Sequence, residues 1–188
     1  MNIIISPSKE MTSTDSQQPA IHLYNGLQFR YLRENLTNED FSFLNQQLHI
    51  ISAEHGLLRP LDEIGAYRRD FTEKGLYKKW NDQIYQALVK EGRTILNVAS
   101  DEFSKTITRY ATPEDQIVSV SFFEKDSEGN LKKHSTISKK GRGQLVNFIA
   151  RKRVTNLTDI KSFTDMGYQF SETESGPINW VFIRPKGA

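Results

Sequence analysis

The chain has 188 residues, with 25 Lys and Arg against 23 Asp and Glu and no cysteine. That length gives one domain, or one with a subdomain, with a real core, and the 11 Phe, 7 Tyr and 2 Trp argue against disorder. The lack of cysteine excludes a disulfide framework, a thiolate metal site and a cysteine nucleophile, and it fits a reducing cytoplasm. No apolar run approaches the ~20 residues needed to span a bilayer. The opening M-N-I-I-I-S-P-S-K lacks the basic region and long apolar region of a signal peptide.

Ile3-Ile4-Ile5 is a β-branched run closed by Ser6-Pro7 and reads as a buried strand. Ser6, Ser8 and Lys9 then stand at its C-terminal edge, where open α/β sheets bind ligands. Thr12 to Pro19 is polar and predicts a mobile loop. Ile21 to Tyr24 alternates weakly and ends at Asn25-Gly26, a turn signal; Leu27 to Leu32 fits a return strand or a short helix. Thr37-x-x-Asp40 resembles a capping box opening a helix to about Leu48. His49 to Ala53 reads as a second strand, running into Glu54-His55-Gly56-Leu57-Leu58-Arg59-Pro60-Leu61-Asp62 at its exit.

Leu76, Trp80, Ile84 and Leu88 mark one amphipathic helix ended by Gly92. Thr94 to Val98 is a third strand, followed by Ser100 as N-cap of the next helix. Gln116 to Phe123 is a fourth strand, Asp126 to Asn130 a turn, and Leu131 to Ile137 an antiparallel return. A helix from Gly141, a short helix around Leu157 to Phe163, and strands near Tyr168 to Phe170 and at Ile178 to Ile183 complete the chain. The pattern implies an α/β fold in which a mixed sheet is flanked by helices.

Charge is unevenly placed. Gly129 to Thr158 contains no Asp or Glu but eight Lys or Arg; the remainder holds 17 basic against 23 acidic residues, a net −6. A concentrated positive patch on an acidic body points to an anionic partner, nucleic acid first. With the helix starting at Gly141, Lys139, Lys140 and Arg142 would crowd a helix N-terminus that already repels cations. A phosphate on the first-turn amides would offset this, and Gly141 and Gly143 would let the backbone approach it. Arg142 falls near the azimuth of Val146 and Ile149, which predicts partial burial and hence a need for a partner. The four histidines (His22, His49, His55 and His134) show no metal-ligand spacing, so no metal or cofactor is expected.

The motifs I-I-I-S-P-S-K-E-M, S-A-E-H-G-L-L-R-P-L-D, Y-R-R-D-F, W-N-D-Q-I, N-V-A-S-D-E-F, H-S-T-I-S-K-K-G-R-G and G-Y-Q-F…W-V-F-I-R occur in this order. The set resembles the YaaA peroxide-stress protein family, over nearly the whole chain from Ile21 onward and the first strand. One departure is that family chains carry a longer helical segment where only Glu10 to Ala20 stands here. Any helix-hairpin-helix-like DNA-contacting element of the family would lie in that segment. The resemblance implies a single compact α/β domain over residues 1–188. It implies a cytosolic protein whose basic cleft binds DNA and which protects against hydrogen peroxide and limits free iron. Lys9, Arg59, Arg68, Lys139, Lys140 and Arg142 stand at the matching positions around the cleft.

Two function classes follow. In the first, a monomeric, non-catalytic protein contacts duplex phosphates largely without regard to sequence, with Phe122, Phe123 or Tyr67 available to stack on a base. In the second, a nucleobase- or nucleotide-processing enzyme such as an N-glycosidase extrudes a modified base from the duplex. The S-A-x-x-G-L-x-x-P-type loop resembles one in proteins associated with modified-base glycosidic chemistry. Such an enzyme needs a carboxylate to stabilise an oxocarbenium-like centre or to activate water; Asp62, Glu54 and Asp101 are the candidates. No nucleophile elbow, Gly-Lys-Ser/Thr phosphate loop or dinucleotide fingerprint is present.

Overall fold

The computed structural model describes residues 1–187. In chain order the elements are β1 (Asn2–Ile5), β2 (Gln18–Pro19), α1 (Ala20–Leu23), α2 (Leu27–Arg33), α3 (Asn38–Gln47), β3 (Leu48–Ser52), β4 (Gly56–Leu58) and β5 (Glu63–Ile64). Then come α4 (Leu76–Trp80), α5 (Gln83–Val89), β6 (Thr94–Asn97), α6 (Asp101–Thr108), β7 (Gln116–Lys125), β8 (Leu131–Lys132), α7 (Ser135–Lys152), α8 (Leu157–Ile160), β9 (Gln169–Phe170) and β10 (Asn179–Pro185). One sheet carries the fold in the order β4-β3-β1-β6-β7-β10-β9, with β8 beside β7. β3, β1, β6, β7 and β10 run parallel, while β4, β8 and β9 are antiparallel additions. The mixed α/β sheet expected from the strand-helix alternation is therefore present.

Period-2 alternation explains how three consecutive isoleucines bury two faces. Ile3 and Ile5 join a core under α2, α3 and α7, and Ile4 joins a second core under α4, α5 and α6. Leu96 and Val98 against Ile95, and Ile50 against Ile51, divide the same way. The capping box of α3 is present: the Asp40 N–H donates to Thr37 Oγ1 (3.2 Å) and the Thr37 N–H to Asp40 Oδ2 (2.8 Å).

The structure departs from the sequence reading at five places. Ile21 to Leu23 belong to a helical turn; Leu27 to Arg33, which follows, is a helix, one of the two forms its sequence allowed. The segment 12–19 is hydrogen-bonded down, with the Thr12 N–H on Leu23 O (2.8 Å) and β2 paired to β5. The expected helix from Leu76 to Leu88 is two helices, because Asn81 takes φ 47° between them. Ser100 stands at the N-cap of α6 without capping it; its own N–H donates to Ser6 Oγ (2.8 Å).

The fifth difference bears on function. The antiparallel return ends at Lys132, and the helix begins at Ser135, two turns earlier than Gly141. Gly141 and Gly143 are thus interior helical residues, each costing about 0.5–1 kcal/mol relative to Ala. Close packing accounts for them. A Cβ at Gly141 would overlap the Phe122 ring on β7, and one at Gly143 would overlap the Gln28 carbonyl on α2.

Candidate functional site

β1 leads back past its own position to β3 on one side, whereas β6 leads to β7 on the other. The chain connections diverge between these two neighbouring strands. In parallel sheets such a switch point opens a crevice at the carboxyl ends of the strands. A cavity of about 620 Å³ lies there. Residues 6–11 leave β1 into it, Ser100, Glu102 and Phe103 enter it after β6, and the first two turns of α7 close a further wall.

Arg68, Lys139 and Arg142 line this cavity, and among the described residues none of the three joins an ion pair. Arg142 is partly buried, as its azimuth predicted, and its Nε has no hydrogen-bond partner. Burial pushes its guanidinium pKa down. Lys9 also lines the cavity but is tied at 2.6 Å to Asp70, a bond that raises its pKa and lowers that of Asp70 to about 2. Four of the six cations named from the sequence, Lys9, Arg68, Lys139 and Arg142, thus line one cavity.

The other two lie elsewhere. β4 runs antiparallel to β3, with Ser52 opposite Gly56 and Ile50 opposite Leu58, so the chain has returned to the amino edge of the sheet by Arg59. There Arg59 pairs with Glu91 above the buried His49. Burial, then the nearby Arg59, push the His49 pKa down to about 3. Lys140 sits over the Tyr31 ring at 5.5 Å, on the α2 side of its helix.

The helix N-terminus argument for Lys139, Lys140 and Arg142 also changes. These residues lie in the second turn of α7, where the terminal dipole has faded and the backbone amides serve the helix itself. Ser135, Thr136 and Ser138 are the first-turn residues that reach the cavity.

None of the three candidate carboxylates lines the cavity. Asp62 accepts from the Arg59 N–H (2.7 Å) in a turn, Glu54 pairs with Arg69 (2.7 Å), and Asp101 is an exposed first-turn residue of α6. Glu102, the next residue, does line it. Its Oε1 accepts from the Phe71 N–H (3.1 Å), and it joins no ion pair among the described residues. The sequence signal for Glu102 was present, since it follows a strand exit by one residue more than Asp101.

Of the aromatic candidates, Phe122 is fully buried in the core and Phe123 packs under Lys133 (5.3 Å). Tyr67 lines the cavity. Among the described residues no group of three or more His, Asp or Glu is placed to hold a metal ion, and no helix is long and apolar enough to cross a membrane.

Known proteins share this arrangement of sequence. The chain is 36% identical to a UPF0246 protein of Agathobacter rectalis over 174 residues, which cover 88% of this chain and 70% of that one. It is 37% identical to a UPF0246 protein of Limosilactobacillus fermentum and 33% identical to one of Clostridioides difficile, at the same coverage. Residues 10–174 match the family described as peroxide stress protein YaaA. The chain belongs to the YaaA peroxide stress protein family.

Proposed function

We propose that the cavity at the β1–β6 switch point binds phosphate groups of DNA. One observation carries the reading: three cations without ion pairs, Arg68, Lys139 and Arg142, face one concavity. A partly buried guanidinium whose Nε has no hydrogen-bond partner is costly, and a phosphate oxygen would offset that cost with charge-assisted bonds to the group. Contacts of this kind hold a backbone and read little sequence. The family is described by peroxide stress, a setting in which protection of DNA would be of use. In the cytoplasm, covering DNA and limiting free iron would oppose the same damage, because iron converts peroxide to the hydroxyl radical that attacks DNA.

Fluorescence anisotropy of a labelled duplex tests the binding. Affinity is expected to fall linearly against salt on logarithmic axes, with a slope near −0.9 per phosphate contact. No binding at low salt ends the reading.

A second reading, removal of a modified base, is favoured by the Glu102 carboxylate in the same cavity. It would stabilise an oxocarbenium-like centre or activate water. DNA carrying oxidised bases should then acquire alkali-labile sites, and Glu102→Gln should abolish them. No base release across a broad panel removes this reading.

A further inference from the structure

The hydroxyl of Tyr67 has a hydrogen-bond proton that the protein does not use. Ser52 Oγ accepts the N–H groups of Glu54 (3.2 Å) and His55 (3.1 Å). A serine hydroxyl has two lone pairs and one proton, so Ser52 must donate that proton, and Tyr67 Oη lies 2.8 Å away. Tyr24 is fully buried, and its Oη lies 2.6 Å from the same Tyr67 oxygen. If Tyr67 donated to Tyr24, the other oxygen beside the Tyr24 hydroxyl would be Ser52 Oγ, whose lone pairs the Glu54 and His55 N–H groups already occupy, and the Tyr24 proton would be an unpaired buried donor. Tyr24 therefore donates. Tyr67 Oη then accepts twice, and its own proton is left for something outside the protein core. Burial raises the pKa of both phenols, so the proton is present at neutral pH.

Tyr67 lines the cavity that also receives Arg142, whose Nε–H is the second donor without an acceptor. The two donors belong to different segments, the 65–70 loop and α7. Between them the lining includes Pro7, Met11, Leu27 and Phe103. The volume of about 620 Å³ suits a small organic ligand and far exceeds a phosphate ion. The Glu102 carboxylate would repel a bare anion but would accept from an amino, imino or hydroxyl group. The matching ligand has an anionic end, a flat body and both acceptors and donors on that body.

We propose that this cavity takes a single nucleotide, with its phosphate on Arg142 and Lys139 and a base acceptor on the Tyr67 hydroxyl. This rests on the phosphate reading above and extends it from the backbone to the base. The unit can come from a free nucleoside monophosphate or from an unpaired position in a strand.

Isothermal titration at low ionic strength tests it, with thymidine 5′-monophosphate, ribose 5-phosphate and inorganic phosphate as probes. The nucleotide is expected to bind wild-type protein at least about tenfold more tightly than either control, the scale of one or two neutral hydrogen bonds plus ring burial. Tyr67→Phe should lose roughly threefold to tenfold of nucleotide affinity and none of the phosphate affinity. Tyr24→Phe should lower the thermal midpoint and leave nucleotide affinity unchanged, because it removes only the donor behind Tyr67.

Equal affinity for all three probes overturns the proposal, and this contrast needs no variant to fold. Equal losses of nucleotide affinity in Tyr67→Phe and Tyr24→Phe also overturn it, since Tyr67 would then act only through the fold. If duplex DNA binds while the nucleotide does not, the nucleotide proposal falls and the phosphate reading stands. If the nucleotide binds and duplex DNA does not, the reverse holds. An oligothymidylate that displaces the bound nucleotide assigns the unit to a strand, and one that does not assigns it to free nucleotides; both outcomes support the site.

Discussion

The two ends of α7 carry the same kind of charge in different states. At its C-terminal end Arg151 pairs with Asp165 and donates from Nε to Asn147 Oδ1 (2.7 Å), and Arg153 pairs with Asp40 (2.5 Å). Arg153 thereby ties the C-cap of α7 to the N-terminal capping box of α3. Near the other end, Lys139 and Arg142 have no ion pair and face a cavity. A run of eight basic residues thus splits into cations the fold satisfies and cations it leaves available. Their count indicates neither role; Arg151 and Arg153 each have a carboxylate at ion-pair distance, whereas Lys139 and Arg142 have none there and line the cavity.

Substitutions can break this comparison. The largest effect is expected at Gly143, where the neighbour met by a new methyl group is the backbone of α2 and cannot rotate away. Gly143→Ala should destabilise by ~1–3 kcal/mol through overpacking, lowering the thermal midpoint at about 2–4 °C per kcal/mol for a chain of this size. An unchanged or higher midpoint would show that the helices can separate, and that α7 is not held where the site requires it.

Next is the exchange of effects between the two ends. Arg142→Ala should weaken duplex binding by about tenfold or more, the loss of a charge-assisted bond of ~1.5–3 kcal/mol, and leave the midpoint equal or higher. Arg153→Ala should do the opposite, costing ~1 kcal/mol of stability for a half-exposed pair with binding unchanged. Similar small binding losses in both would mean a diffuse positive surface with no site.

A smaller effect is expected from pH. Asp70 has a folded pKa of about 2, held down first by the hydrogen bond from Lys9, against ~3.9 in an unfolded chain. A depressed carboxylate stabilises fully above the unfolded value and loses that contribution as pH falls from about 4 to about 2. The midpoint difference between wild type and Asp70→Asn should therefore shrink over that window. Lys9 is largely exposed, so the difference stays under ~1 kcal/mol. A difference that does not change with pH would free Lys9 from Asp70 and add it to the cavity's available cations. Smallest of all, Lys152→Ala should barely alter DNA affinity, because the residue lies on the last turn of α7, where its charge is favourable without a ligand.

The sheet was largely legible because β-branched runs such as Ile3 to Ile5 and the capping box Thr37-x-x-Asp40 are local signals with local causes. The cavity was legible in part, since Lys9 and Ser100 stand at exits of strands that prove to be neighbours. The start of α7 was not, because Gly141 and Gly143 look like helix breakers until Phe122 and Gln28, distant in sequence, are known to lie against them. Arg59 was misplaced for a similar reason. Three residues, Gly56 to Leu58, form a returning strand too short for a period to show, and that return moves everything after it to the opposite edge. Tyr67 could be suspected only as an aromatic near a basic motif; its hydroxyl network joins residues 24, 52 and 67, which no spacing connects.

The two glycines of α7 also fix an angle. At about 100° per residue, positions 141 and 143 point some 200° apart, so β7 and α2 grip the helix from nearly opposite sides. Position 142 lies between those two directions, on the azimuth of the buried Val146 and Ile149, where the wall of the cavity begins one turn before them. The grip is made by bare backbone, so it acts like a key in a shaft: the helix cannot roll about its axis without driving a main chain into Phe122 or Gln28. The aim of residue 142 is thus set by its neighbours' lack of side chains and not by the arginine's charge. A different side chain placed at 142 would leave the helix in the same direction, which makes this the position at which to exchange the chemistry of the site.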